Sequence, residues 1–174
     1  MKIKILKQYV EDAKAHAFER SHYYGNPKYP QKMVTHFYRF DNIIRGKTGE
    51  EAVKAVFRVE KIPHEVCITE IGEPDQFDIR VGKMTIDVKT ITKDSIRALM
   101  VSKEPFDFGR QMDYYILVEL EEGREIAEVH GYATKEDFKK AGVTQSGKRL
   151  VYAIPIEKLR PIEELLETLR RAAR

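Results

Sequence analysis

A chain of 174 residues, 42% hydrophobic and 34% charged, is long enough to bury a core and too apolar to be disordered, and it reads as a single domain. Its one cysteine, Cys67, excludes an intrachain disulfide framework and a cysteine-rich zinc site. A net charge of +3 is too small to mark a nucleic-acid binder by itself, and no apolar run approaches the roughly 20 residues of a membrane span, so a cytoplasmic protein is expected.

Leu6, Val10, Ala13 and Ala17 recur at helical spacing and predict an N-terminal amphipathic helix. The proline- and glycine-bearing segment Ser21 to Gln31 reads as a loop. A second helix is expected from about Lys47 to Arg58, with Ala52, Val53, Val56 and Phe57 as its buried stripe. Ile62 to Ile71 reads as a strand leading into a hairpin, and Thr92 to Arg110 is ambiguous, with helix then loop as its reading. Tyr114 to Leu120 is an apolar strand with Glu125 to Ala133 as its neighbour. Thr134-Lys135-Glu136-Asp137 resembles a capping box that opens a short helix closed by Gly142. Leu150 to Ile154 is a further strand, and Pro161 starts a last helix with the stripe Ile162, Leu165, Leu166 and Leu169. This order implies an α/β sandwich around a mixed central sheet.

The hairpin carries the chemistry. Gly82-Lys83 between two apolar-rich runs fits a two-residue type II′ turn with glycine at its first central position. Centred there, the register sets Val81 opposite Met84, Arg80 opposite Thr85, Ile79 opposite Ile86 and Asp78 opposite Asp87. Alternation then puts Asp78, Asp87 and Lys89 on one face, and Ile79, Val81, Met84, Ile86 and Val88 on the other. Like charges set opposite one another destabilise a hairpin, so a divalent cation is the obvious group to offset them.

Asp78, an eight-residue gap and then Asp87-Val88-Lys89 resembles the core motif of the PD-(D/E)XK nuclease superfamily. That superfamily adds an acidic residue from a preceding helix in a Gly-x-x-Gly-Glu-like context, which Gly46-Lys47-Thr48-Gly49-Glu50 matches. Asp75 follows Pro74 and fits the literal Pro-Asp, yet it precedes the paired section, so Asp78 is preferred. At about 100° per residue, Glu50 lies near the edge of the Val53–Phe57 stripe and Glu51 almost opposite it, so Glu50 is expected to reach the sheet and Glu51 to point to water.

The resemblance implies a restriction-endonuclease-like core, as in archaeal Holliday-junction resolvases: a mixed central β-sheet flanked by helices, here with an extra N-terminal helical segment. Residues 1–45 would be that helical, aromatic extension, 46–120 the catalytic core and 121–174 the C-terminal strands and helix. It implies a metal-dependent deoxyribonuclease, an endonuclease of restriction, repair or recombination type, with DNA as partner and a homodimer as a common arrangement. Mg²⁺, with Mn²⁺ able to substitute, would be held by Asp78, Asp87, the Val88 carbonyl and Glu50, and Lys89 would complete the catalytic set. Arg80, Thr90, Lys93 and Gln111 are candidate nucleic-acid contacts. The alternative is a module that keeps the fold and binds nucleic acid, or supports an assembly, without cutting.

Other features carry less. Gly142 to Arg149 has the glycine and lysine spacing of a phosphate-binding loop but lacks the Ser or Thr that would follow the lysine, and it reads as a surface turn. His16, His22, His36, His64 and His130 show no zinc-ligand spacing.

Overall fold

The alternation around Gly82 and the apolar run from Tyr114 to Leu120 build the centre of the fold. The computed structural model describes residues 1–5, 7–24, 35–67, 76–109, 111–121, 123 and 125–173. In chain order these form β1 (Lys2–Lys4), α1 (Lys7–Tyr24), α2 (Thr35–Val59), β2 (Glu65–Val66), β3 (Ile79–Val81), β4 (Met84–Thr92) and β5 (Ala98–Ser102). There follow α3 (Lys103–Phe108), β6 (Tyr114–Leu120), β7 (Ile126–Ala133), α4 (Lys135–Ala141), β8 (Val143–Ser146), β9 (Arg149–Pro155) and α5 (Ile162–Ala172). The class is mixed α/β.

Six strands form one sheet in the order β1-β7-β6-β4-β3-β2, and three form a second in the order β5-β9-β8. The first sheet is mixed: β4 and β6 run parallel from Ile86–Tyr114 to Thr92–Leu120, while its other pairings are antiparallel. The β3–β4 hairpin has the expected register, Val81 to Met84, Arg80 to Thr85 and Ile79 to Ile86. Gly82 has φ +58° while Lys83 does not enter positive φ, as a type II′ turn requires.

Period-two burial divides the core between the faces of the larger sheet. Ile79, Val81, Ile86, Val88, Ile116 and Val118 meet Ala52, Val53, Val56 and Phe57 of α2 and Ile162, Leu165, Leu166 and Leu169 of α5. Burying each large aliphatic side chain contributes roughly 1.5–3 kcal/mol. On the other face Ile91, Tyr115, Leu117 and Ala133 pack with Leu99, Val101, Phe106, Phe138 and Ile154, so the small sheet, α3 and α4 cover this side. Asp87 and Lys89 alternate onto this second face at the point where its cover is incomplete.

Several boundaries differ from expectation. Residues 21–24 continue α1 instead of entering a loop, and residues 25–31 lie outside the described residues. The second helix starts twelve residues earlier than expected, at Thr35, so the boundary placed at 45/46 falls inside it. The N-terminal segment is not wholly helical, because β1 pairs with β7. Of the strand expected over Ile62 to Ile71, Glu65–Val66 is observed, and residues 68–71 lie outside the described residues. The ambiguous stretch after Thr92 holds β5 followed by α3. Gly142 to Arg149, expected as a surface turn, holds strand β8 as well as the turn into β9, with Gly147 at φ +58°.

The capping box is present. Asp137 N–H donates to Thr134 Oγ1, and Asp137 Oδ2 accepts from Thr134 N–H at 2.9 Å. Arg160 fixes the same carboxylate from two nitrogens, Nε at 2.9 Å and NH2 at 2.8 Å. Among the described residues, no helix is long and apolar enough to cross a membrane.

Candidate active site

β3 has three residues and β4 nine, so the β3–β4 ladder runs out partway along β4. Asp78 sits where it stops. It does not form a ladder pair with Asp87, as the extrapolated register would have it. Its N–H donates to Ile86 O at 3.1 Å, and its carboxylate Oδ2 accepts from Val88 N–H at 2.7 Å. The Asp78 side chain thus takes the place of the missing ladder acceptor. A strand residue sends its N–H and C=O to the same edge, so the Val88 carbonyl also leaves β4 on the Asp78 side.

Asp87 and Lys89, two positions apart on β4, share a face. Lys89 Nζ donates to Asp87 Oδ1 at 2.8 Å and lies 2.7 Å from Oδ2. Glu50 comes from α2, with Lys47 Nζ donating to its Oε2 at 2.9 Å. The close approach of α2 to β4 depends on Gly49: a Cβ there would lie 2.0 Å from Thr90 Oγ1, so only glycine fits without displacement. The residue after it, Glu50, is near enough for its charge to be felt at Asp78.

Electrostatics tie these residues together. Burial, with the negative charges of Glu50 and Asp87 adding to it, pushes the Asp78 carboxyl up to about 7, against the Val88 N–H bond and Lys89, which favour ionisation. Burial opposes the charge of Lys89, but the attraction and hydrogen bond of Asp87, with Asp78 behind it, hold the ammonium above its ordinary pKa. Two further carboxylates, each paired with a lysine, thus act on a buried Asp78, with Lys89 still reached by solvent from the cleft.

A cleft of about 260 Å³ opens over Asp87 and Lys89. Met100, Ser102, Pro105, Phe106, Met112 and Tyr115 wall it. Its floor is β4 of the large sheet, and its wall includes β5 and α3.

Among the described residues no three Asp, Glu, His or Cys side chains stand together as a ready-made metal cage. Glu50 and Asp87 face Lys47 and Lys89 instead. The donor chemistry nonetheless fits a hard cation. Mg²⁺ binds through one or two carboxylates, waters and substrate phosphate, and does not need an all-protein cage. The part of the Asp78 shift that comes from the charges of Glu50 and Asp87, added to the larger effect of burial, is what a bound cation would relieve.

Of the other predicted residues, Glu51 does not point to water. It pairs with Lys54 and Arg58, and its side chain is 18% exposed against 12% for Glu50. Asp75 lies outside the described residues. Three candidate nucleic-acid contacts are committed within the chain. Arg80 pairs with Glu65 and stacks over the Phe77 ring at 5.0 Å, Thr90 packs against Gly49, and Gln111 Nε2 donates to Phe106 O at 3.0 Å. Lys93 is exposed in the β4–β5 turn.

Sequence reasoning missed Lys47, although its spacing from Glu50 on one helix was a readable signal. It also missed the cleft wall, which is made by β5 and α3. Glu119, only 6% exposed, carries a further buried polar group, with His130 Nε2 at 2.8 Å and Arg97 at 3.1 Å.

The family described as a protein of unknown function (DUF1822) matches residues 92–173. That span runs from the end of β4 to the end of α5. It takes in much of the cleft wall and stops short of Glu50, Asp78, Asp87 and Lys89. No curated protein matches the chain.

Proposed function

We propose that this protein is a Mg²⁺-dependent deoxyribonuclease with a restriction-endonuclease-like core. The observation that carries the reading is the pair Asp87 and Lys89 at the floor of a cleft, with the buried Asp78 near enough to feel the charges of both Asp87 and Glu50. A carboxyl whose pKa is raised chiefly by burial, and further by two neighbouring carboxylates, is more common at functional sites than on ordinary strand surfaces.

Asp78, Asp87, the Val88 carbonyl and Glu50 would hold the metal, Mn²⁺ substituting for Mg²⁺. Bound there, the ion supplies Lewis acidity and a water of lowered pKa. The chain's own residues do the rest. Lys89, anchored by Asp87, presents a fixed positive charge to the phosphate, where negative charge builds during phosphodiester hydrolysis. Lys47 neutralises Glu50 until substrate and metal enter. The apolar wall of Met100, Phe106 and Met112 limits bulk water and so strengthens each of these interactions.

The ion pairs of Glu50 and Asp87 with lysines favour a second reading, a module of the same fold that binds nucleic acid without cutting. Incubating the full chain with supercoiled plasmid, single-stranded DNA and a four-way junction, in Mg²⁺, Mn²⁺ or EDTA, separates the two. Metal-dependent cutting is expected, reduced at least about 100-fold by Asp87→Asn and by Lys89→Ala. Glu51→Ala should cut far better than Glu50→Ala. DNA binding by folded wild-type protein with no cutting in any metal would reject the nuclease in favour of the binding module.

A further inference from the structure

A second groove, of about 490 Å³, adjoins the cleft over Asp87 and Lys89, and Ser102 and Pro105 line both. One wall is the end of α3, where Phe108 stands 85% exposed. The other is the β8–β9 turn, which contributes Lys148, Arg149 and a 55% exposed Leu150. Glu104 also faces the groove, and Lys103 is partly neutralised by its ion pair with Asp107.

An aromatic ring left in water beside two cations, at the mouth of a phosphodiester-cleaving site, matches one kind of ligand. Phosphates of a nucleic-acid strand meet Lys148 and Arg149, and a base stacks on Phe108. Stacking requires a base with a free face. A base pair inside a duplex has none, because its neighbours already cover it. Deepening the nuclease reading, on which it rests, we infer that this groove receives unpaired DNA, so that the substrate is a single strand or a junction between single- and double-stranded DNA. A strand lying on Phe108 would cross Ser102 and Pro105 and enter the cleft at Lys89.

The test is binding of a labelled single-stranded DNA of about 16 nucleotides to the full chain in EDTA, followed by fluorescence anisotropy across a salt series. Phe108→Ala should weaken binding about tenfold, while binding to a blunt duplex of equal length changes little. Lys148→Ala with Arg149→Ala should weaken it further and reduce the salt slope by about 1.4, two phosphate contacts at roughly 0.7 each for a single strand. Lys4→Ala with Lys83→Ala removes the same charge elsewhere and should leave both quantities near wild type. Phe108 is so exposed that its loss leaves the core untouched.

Equal affinity of Phe108→Ala and wild type would overturn the inference, as would failure of the wild type to bind the single strand. A dimer in sedimentation that Phe108→Ala dissociates, with DNA affinity unchanged, would assign the groove to a second copy of the chain. Because binding is read without metal, these outcomes are independent of cleavage. Absence of cutting by a wild type that binds through Phe108 rejects the nuclease and keeps the groove.

Discussion

Gly49→Ala would place a methyl group 2.0 Å from Thr90 Oγ1 and 3.1 Å from both Thr90 Cβ and Cγ2. Either the threonine changes rotamer or α2 moves away from β4. Overpacking of this kind costs about 1–3 kcal/mol, and the gain in helix propensity from alanine returns about 1 kcal/mol. The net expectation is a loss of about 1 kcal/mol. Gly46, three residues earlier on the same helix, has nothing within 4 Å of the corresponding position, so Gly46→Ala keeps the propensity gain alone and should stabilise by up to about 1 kcal/mol. Two identical substitutions on one helix are thus expected to act in opposite directions. Their separation of about 2 kcal/mol corresponds to roughly 4–8 °C in Tm for a chain of this size. Urea unfolding of both variants, with the slope checked for constancy, measures it. Thr90→Ala in the Gly49→Ala background removes Oγ1 and Cγ2 and should recover about 1 kcal/mol as a coupling energy. Stabilisation by Gly49→Ala equal to that of Gly46→Ala would refute the close approach, and with it the account of how Glu50 reaches Asp78.

Two predictions concern pH. The bidentate hydrogen bonds from Arg160, ahead of the capping bonds from Thr134, hold the Asp137 carboxyl at about 2 against an ordinary 3.8. A lowered folded pKa gives stability that is present above about 4 and lost as pH falls towards 2. With Arg160 nearly half exposed, screening leaves about 1 kcal/mol of it. Asp137→Asn should therefore be less stable than wild type in urea at pH 7 and nearly equal to it at pH 2. Asp78 has the opposite sign. Its folded pKa of about 7 lies above 3.8, so the protein without metal loses stability as pH rises through that window. In EDTA, Asp78→Asn should gain on wild type from pH 4 to pH 8. If the proposed metal binds, adding Mg²⁺ at pH 8 should raise the Tm of wild type more than that of the variant, and an equal rise would remove Asp78 from the proposed ligands.

Local signals carried the parts of the fold that local chemistry decides. The β3–β4 register followed from one glycine and a period of two, and the buried stripe of α5 from a period of 3.6. Helical angle puts Glu50 towards the sheet and Glu51 towards solvent, but pairing with Lys54 and Arg58 on the same helix holds Glu51 partly buried. What failed was set by distant partners. Ala98-Leu99-Met100 consists of good helix formers, and pairing with β9, more than fifty residues away, makes it a strand. The first turns of α2 are aromatic and carry few strong helix formers, yet the helix continues through them to its packing of Ile44 on Ala13 and Ala17. β8 is legible in principle, since Gly147-Lys148 repeats the turn signal of Gly82-Lys83, but its residues Val143–Ser146 are mostly exposed and carry no apolar alternation.

The location of the site follows from unequal strand lengths. Where β3 ends, the N–H of Val88 is left without a backbone acceptor on that side, and an unpaired buried donor costs about 1–3 kcal/mol. Asp78 supplies the acceptor. A carboxylate is thus fixed for a structural reason at the place where the sheet opens and where α2, admitted by Gly49, brings Glu50. This double duty decides which substitution is informative. Asparagine retains an oxygen for Val88 and removes the charge, whereas alanine removes both, so loss of the proposed activity in Asp78→Ala would combine a damaged strand end with the loss of a proposed ligand. Asp87 has no such backbone duty in this arrangement: its oxygens answer to Lys89. Of the two aspartates, Asp87 can be replaced without loss of a backbone hydrogen bond, at the expense of the Lys89 ion pair, whereas Asp78 keeps its backbone bond only as asparagine.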